Sequence, residues 1–160
     1  MAQICIMKPL IVLIVTFLLS LVIARLSMGR WQLIFAGNVA MCCMLMLTAI
    51  GHFKFTEGMV MMLPPVIPFK TAVVYVSGIV EIILGLMLLL PSMRNVAGNL
   101  LIILFIVMLP ANIYAAMTKL NMEMANHEGP GYEYLYFRLP LQLLFIAWVL
   151  YFSTTWVRKF

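Results

Sequence analysis

The stretch Thr71–Leu90, TAVVYVSGIVEIILGLMLLL, holds a single charged residue, Glu81, in twenty positions. A helix of about 20 apolar residues crosses the hydrocarbon core of a bilayer, since each residue adds about 1.5 Å along the axis. A helix also satisfies its backbone N–H and C=O groups internally, as a lipid solvent requires. We therefore predict that this stretch is a transmembrane helix.

Four further runs of similar length and apolarity surround this stretch, at residues 9–24, 33–50, 96–116 and 137–156. None of them shows the alternation of polar and apolar positions that a membrane β-barrel needs. The sequence therefore predicts an all-α membrane protein with five transmembrane helices, in a single membrane domain that covers residues 1–160.

Composition agrees with a lipid solvent, because 66% of the 160 residues are hydrophobic and only 9% are charged. Soluble domains usually carry about a quarter charged residues. The net charge of +5 comes from single basic residues that flank apolar runs. Such spacing favours anchoring at the membrane interface over a nucleic-acid patch, so we expect membrane lipid, and no nucleic acid, as a partner.

The first apolar run admits two interpretations. Lys8 followed by an apolar segment resembles a signal peptide, but no small-x-small cleavage site follows it. We favour a retained helix. The basic residues are almost evenly divided between the two sides of the membrane, and their placement in the shorter connections favours a cytoplasmic C-terminus. The two long loops, residues 51–70 and 118–136, then share the outer face.

These loops contain residues that often bind ligands or metals, but their spacing predicts no site. We expect Thr56 to cap a short helix that prolines terminate, and Met59, Met61 and Met62 to lie on the membrane surface. The spacing of Glu123, His127 and Glu128 approximates that of metal ligands, but a helix breaker follows at residues 129–131, and we expect a solvated loop. Cysteine offers no C-x-x-C, and we predict no metal site.

Glu81 is the clearest candidate for a functional residue. An ionised carboxylate in the middle of a membrane helix is costly, so we expect it to be protonated or paired. Gly78 and Gly85 share its helix face and allow a neighbouring helix to approach closely, which places Glu81 inside the bundle. Ser77 is a candidate hydrogen-bond partner. A neutral tie between helices and a ligand or proton contact remain equally open.

Two other helices carry weaker candidates. The second helix has a stripe at helical spacing that ends at His52 and is typical of a packing face; its members are Asn38, Cys42, Leu45, Ala49 and His52. The fourth helix contains Pro110, which deprives the carbonyl of Ile106 of its usual partner. A kink there favours a bound water or polar ligand, with Asn112 beside it, although helix packing is the simpler explanation.

The last helix adds Arg138 and Gln142, which lie one turn apart on one face. If the helix begins near Tyr132, Arg138 lies below the membrane surface and can reach toward Glu81. If it begins at Phe137, Arg138 is an interfacial residue whose charge extends to water. A Glu81–Arg138 pair is therefore a hypothesis of the sequence.

The order of several short motifs resembles the DoxX family of small bacterial membrane proteins, over about residues 35–152. The resemblance is carried by residues 51–53 (GHF), 62–68 (MLPPVIP), 75–81 (YVSGIVE), 88–91 (LLLP), 109–114 (LPANIY) and 137–142 (FRLPLQ). It implies a four-helix core at residues 33–157 with an added N-terminal helix at 9–26. It also implies a multi-pass protein of the bacterial inner membrane.

The same resemblance guides the functional expectation. DoxX names point to subunits of thiosulfate:quinone oxidoreductases and redox-linked complexes, and the matching polar positions are His52, Glu81, Asn112, Arg138 and Gln142. We expect a redox-associated accessory subunit that contacts quinone, since no electron-carrying cofactor has an obvious ligand set. The alternatives are a non-enzymatic assembly factor that binds another membrane protein through Tyr75, Gly78 and the Met-rich loop, and a small-molecule or lipid-binding transporter.

Overall fold

The computed structural model describes residues 2–122, 124–129 and 131–154, which are mostly helical and contain no β-strand. The helices are α1 (Ala2–Met28), α2 (Leu33–Lys54), α3 (Thr56–Met61), α4 (Lys70–Leu89), α5 (Arg94–Met117) and α6 (Tyr132–Phe152). All except the short α3 contain a segment long and apolar enough to cross a membrane. The predicted all-α membrane protein with five membrane-spanning helices is therefore confirmed.

Four helices form a closed ring in which α2 contacts α4, α4 contacts α5, α5 contacts α6 and α6 contacts α2. The first helix, α1, packs outside this ring against α2 and α6. Burial follows the same division, since 50% of the apolar window of α2 is buried within the protein but only 11% of that of α1. The ring is therefore the core of the molecule, and α1 is its peripheral helix.

Small residues allow α2 and α4 to pack closely. A Cβ atom at Gly78 would lie 2.9 Å from Cβ of His52, and one at Gly85 would lie 3.2 Å from Cε of Met46. Close approach of this kind is how membrane helices gain van der Waals contact when the hydrophobic effect cannot draw them together. The predicted glycine-lined face of α4 is confirmed, and Glu81 lies within it, 3% exposed.

The start of α6 decides between the two positions considered for Arg138. The helix begins at Tyr132, about one and a half turns before the apolar run that predicted its start at Phe137. Gly131 precedes it with φ 61° and ψ −129°, a conformation essentially confined to glycine. Arg138 therefore lies well inside the helix and is partly buried.

The two long loops meet at one end of the ring. A Cβ atom at Gly58 in α3 would lie 1.9 Å from the carbonyl oxygen of Met122, so only glycine permits this contact. The prediction that the methionines lie on the membrane surface is wrong for Met62, which is buried against Ala115 and Leu120. We call α3 together with residues 118–122 the roof of the bundle.

Thr56 does not cap α3. The N-cap position is Phe55, and no side chain makes a capping hydrogen bond there. The hydroxyl of Thr56 instead donates to the carbonyl oxygen of His52, 2.8 Å away, in the last turn of α2. A threonine in the first turn of a helix can bond backward in this way, which ties α3 to α2.

Candidate functional site: a roofed cavity in the bundle

A cavity of about 540 Å³ lies beneath the roof, between α2, α4, α5 and α6. Its volume falls within the range of small-molecule sites, about 300–1,000 Å³. Apolar side chains form most of its wall, with leucine, methionine and phenylalanine prominent among them. All five polar residues singled out from the sequence line it: His52, Glu81, Asn112, Arg138 and Gln142. The structure therefore brings together candidates that come from four different helices.

His52 and Glu81 form a pair across the α2–α4 contact, with Nε2 of His52 3.4 Å from Oε1 of Glu81. The other carboxyl oxygen, Oε2, lies 2.7 Å from the hydroxyl of Thr48, one turn earlier in α2. His52 and Glu81 are both buried. The carboxyl group that the sequence placed inside the bundle therefore has a partner at each oxygen.

His52 ties α2 to α4 through both of its ring nitrogens. Nδ1 lies 3.1 Å from the carbonyl oxygen of Val74 and 3.1 Å from the hydroxyl oxygen of Ser77. Ser77 also donates its proton to the carbonyl oxygen of Val74 at 2.8 Å. Nε2 faces Oε1 of Glu81, so the imidazole and the carboxyl group are partners inside the bundle, where an isolated charge is costly.

A second polar group joins α5 to α6. Nδ2 of Asn112 donates to Oε1 of Gln142 at 3.2 Å, and the hydroxyl of Tyr134 donates to Oδ1 of Asn112 at 3.2 Å. The amide nitrogen of Gln142 donates to the carbonyl oxygen of Phe105. Pro110 has no N–H to donate to the carbonyl oxygen of Ile106, which is next to that of Phe105 in the chain. A side chain from α6 therefore donates a hydrogen bond to the backbone of α5 beside the proline kink.

Arg138 stands apart from both polar groups. Its side chain lines the cavity, but in the described ranges it forms no hydrogen bond or ion pair. The hypothesis that it pairs with Glu81 is wrong, because Glu81 is paired with His52 and Thr48. An arginine carries five N–H donors in a fixed planar arrangement, and those of Arg138 have no partner in this part of the protein.

The sequence missed two members of the site and misassigned one. Thr48 lies four residues before His52, and Tyr134 lies four residues before Arg138, so helical spacing offered a signal for both. Tyr134 fell outside the predicted α6, which began too late. Ser77 was expected to bond Glu81, but its oxygen lies 3.1 Å from Nδ1 of His52 instead. The sequence could not show which helix packs against α4.

Most of the stripe on α2 is a packing face, as predicted, since its members Asn38, Cys42, Leu45 and Ala49 are buried and do not line the cavity. His52, at its end, is buried as well but lines the cavity. Of the three residues with metal-like spacing, Glu123 lies outside the described residues. His127 and Glu128 are exposed, and Nδ1 of His127 lies 2.9 Å from the carbonyl oxygen of Thr118. His127 therefore bonds the backbone of its own loop.

A wider depression of about 770 Å³ lies at the opposite end of the ring and includes Arg94 and Tyr151. Its lining residues are all partly or fully exposed. Besides Arg94 and Tyr151, they are residues 31–35 and Pro91. Buried polar side chains distinguish the roofed cavity from this depression. The roofed cavity is therefore the better candidate for a binding site.

A family model of a domain of unknown function (DUF8561) matches residues 41–153 of the chain. The chain belongs to this family. The DUF8561 match includes α3, α4, α5, α6 and most of α2, and with them every polar residue that lines the roofed cavity except Lys8. No curated protein and no solved structure matches the chain. The DUF8561 region thus coincides with the helices that form the site.

Proposed function

We propose that the protein binds a lipophilic small molecule inside the membrane, and that the ligand carries a hydrogen-bond-accepting head of the quinone class. Its role is that of an accessory subunit of a redox complex in the cell inner membrane. The observation that carries the proposal is the roofed cavity, in which polar side chains from four helices face one apolar space. An apolar pocket with a few placed polar groups is the usual form of a small-molecule site.

The hydrogen-bond inventory supports an accepting head. The carboxyl oxygens of Glu81 are engaged by His52 and Thr48, and Oδ1 of Asn112 is engaged by Tyr134. Each amide nitrogen of Asn112 and Gln142 has two protons and uses one of them in the bonds described above. Each of these two amides therefore keeps one N–H for a ligand, and quinone carbonyls accept hydrogen bonds.

The resemblance to DoxX proteins supports the redox part of the proposal, because that family name is associated with quinone-linked complexes. The matching positions all line the cavity: His52, Glu81, Asn112, Arg138 and Gln142. The family of the chain, a domain of unknown function, assigns no chemistry of its own.

The proposal is tested by filling the cavity without removing any polar group. Ala111 lines the cavity and is partly buried, whereas Ala147 lies exposed on α6 and does not line it. We expect Ala111→Leu to lower the binding of decylubiquinone to purified protein in lipid nanodiscs by about tenfold, and the matched variant Ala147→Leu to leave it unchanged. Native mass spectrometry of the wild type should detect the bound quinone.

Two results would contradict the proposal. One is wild-type protein that binds no decylubiquinone, and the other is equal loss in both variants, which would indicate an effect on the bilayer contact and not on the cavity. Melting curves of both variants establish that each is folded before binding is compared.

A second candidate function is small-molecule or lipid transport, favoured by the fact that Glu81 and Pro110 line the same cavity. It predicts proton-coupled flux in liposomes that Glu81→Gln abolishes. Equal flux in the two proteins would remove Glu81 from such a role. The partner-binding alternative loses one of its residues, because Gly78 is buried against His52 and cannot contact another protein.

A further inference from the structure

Arg138 is a cation without a counter-ion in a largely apolar cavity. The side chain is partly buried six residues into α6, about 9 Å along the helix, and no described residue pairs with it. A charge withdrawn from water is costly unless it is paired, and intramembrane arginines usually meet a partner or a water-filled space. An unpaired guanidinium at this depth therefore points to a partner that is not part of the described chain.

The charges around the cavity do not balance within the described residues. Glu81 is the acidic side chain among the described residues that line it, and both of its carboxyl oxygens are already engaged, by His52 and Thr48. Lys54 also lines the cavity and is exposed, with its ammonium group 5.4 Å from the ring centre of Phe55. The cavity therefore presents positive charge and unused N–H donors.

We infer that this cavity also takes a ligand with an anionic head, a carboxylate or a phosphate monoester, on a single apolar chain. The inference goes beyond the proposed function, because it assigns to the same cavity a second ligand class beside a neutral quinone. Arg138 holds the head through paired N–H···O bonds, a geometry that carboxylate and phosphate share. The apolar chain lies along the leucine, methionine and phenylalanine side chains of the wall.

Binding of charged and neutral probes with the same chain tests the inference. The protein is placed in phosphatidylcholine nanodiscs, and oleate, oleyl alcohol, oleoyl lysophosphatidic acid and decylubiquinone are titrated separately, with detection by native mass spectrometry. We expect oleate or the lysophosphatidic acid to bind about tenfold or more tightly than oleyl alcohol, because a bond to a charged group is among the stronger hydrogen bonds. Preference for one of these two anions identifies the source of the charge.

Variants of Arg138 separate binding from folding. Arg138→Gln should remove the preference for the anions, Arg138→Lys should keep most of it, and Arg30→Gln, an exposed arginine that does not line the cavity, should leave it intact. Without ligand, Arg138→Gln should melt at the wild-type temperature or above it, because it removes an unpaired charge. A residue that held the fold together would lower the melting temperature.

Equal affinity for oleate and oleyl alcohol would overturn the inference, as would an anion preference that survives in Arg138→Gln. If decylubiquinone and oleyl alcohol bind and the two anions bind no more tightly than oleyl alcohol, the inference of an anionic ligand is wrong and the proposed function stands. If none of the four probes binds, the proposed function fails as well.

Discussion

The two ends of the four-helix ring both contain buried polar side chains, but they use them in opposite ways. At the end away from the roof, Asn38 donates to the carbonyl oxygen of Phe152 at 3.0 Å and accepts from the hydroxyl of Ser153 at 2.8 Å. Asn38 and Ser153 are fully buried. At the roofed end, polar side chains border an open cavity. We call these the closed end and the open end.

Helix spacing explains the difference. At the closed end, a Cβ atom at Gly37 would lie 2.4 Å from ring atoms of Phe152, and one at Gly98 would lie 3.0 Å from Cβ of Ser153. The C-terminal part of α6 therefore rests directly on α2 and α5. At the open end, the helices leave a space that side chains do not fill. A buried amide can thus serve packing in one place and a ligand in another, within the same bundle.

The largest expected effect comes from breaking the closed end. Asn38→Leu removes the acceptor of the Ser153 hydroxyl and one donor to the carbonyl of Phe152, and an unsatisfied buried group costs about 1–3 kcal/mol. We expect a clear fall in the melting temperature of the protein in detergent. Ligand affinity of the folded protein should stay unchanged, because Asn38 does not line the cavity. A wild-type melting curve would contradict the structural role of Asn38.

The next effect concerns the roof. Gly58→Ala forces the backbone of α3 away from Met122, whereas Gly51→Ala places its Cβ atom 3.5 Å from Cε of Met59, an ordinary contact. We expect Gly58→Ala to speed ligand dissociation, and we expect Gly58→Ala, but not Gly51→Ala, to raise the rate of amide hydrogen exchange at residues 118–122. The core of the ring should be little affected. Identical exchange in the two variants would show that the contact at Gly58 does not hold the roof.

A smaller effect is expected at the pair of Glu81 and His52. In Glu81→Gln, the new amide can donate to Nε2 of His52 and accept from Thr48, so the hydrogen bonds survive and the unfolding free energy should change by less than about 1 kcal/mol. Glu81→Leu leaves both partners unsatisfied and should be clearly less stable. Thermal melts compare the three proteins. Equal instability of Glu81→Gln and Glu81→Leu would contradict a role of Glu81 that hydrogen bonding alone fulfils.

The comparison also separates what the sequence predicts well from what it does not. The apolar runs predict the membrane helices, because hydropathy alone decides whether a segment enters lipid. The start of α6 was misplaced because Tyr132, Glu133 and Arg138 lower the apolarity of a stretch that is nevertheless helical. Burial of Glu81 followed from its glycine neighbours, which are local in sequence.

The partners of these residues could not be predicted in the same way. Glu81 pairs with His52 and Thr48 because α2 packs against α4, and helix adjacency depends on the whole set of packing contacts. The role of Asn38 was likewise hidden, since its partner Ser153 lies 115 residues away. Charge alone made Arg138 a candidate partner for Glu81. The helix packing instead places His52 and Thr48 beside Glu81, and Arg138 makes no ion pair with the described residues.

The sequence distances of the two ends also set an order for biogenesis. Thr48 and Glu81 are 33 residues apart, whereas Asn38 and Phe152 are 114 residues apart. During synthesis, the acid of α4 therefore meets its partners as soon as that helix enters the bilayer beside α2. The amide nitrogen of Asn38 can bond the carbonyl oxygen of Ile34, 2.7 Å away in its own helix, but the amide oxygen gains the hydroxyl of Ser153 only when the last helix arrives. We therefore expect insertion of α6 to be the step that closes the bundle.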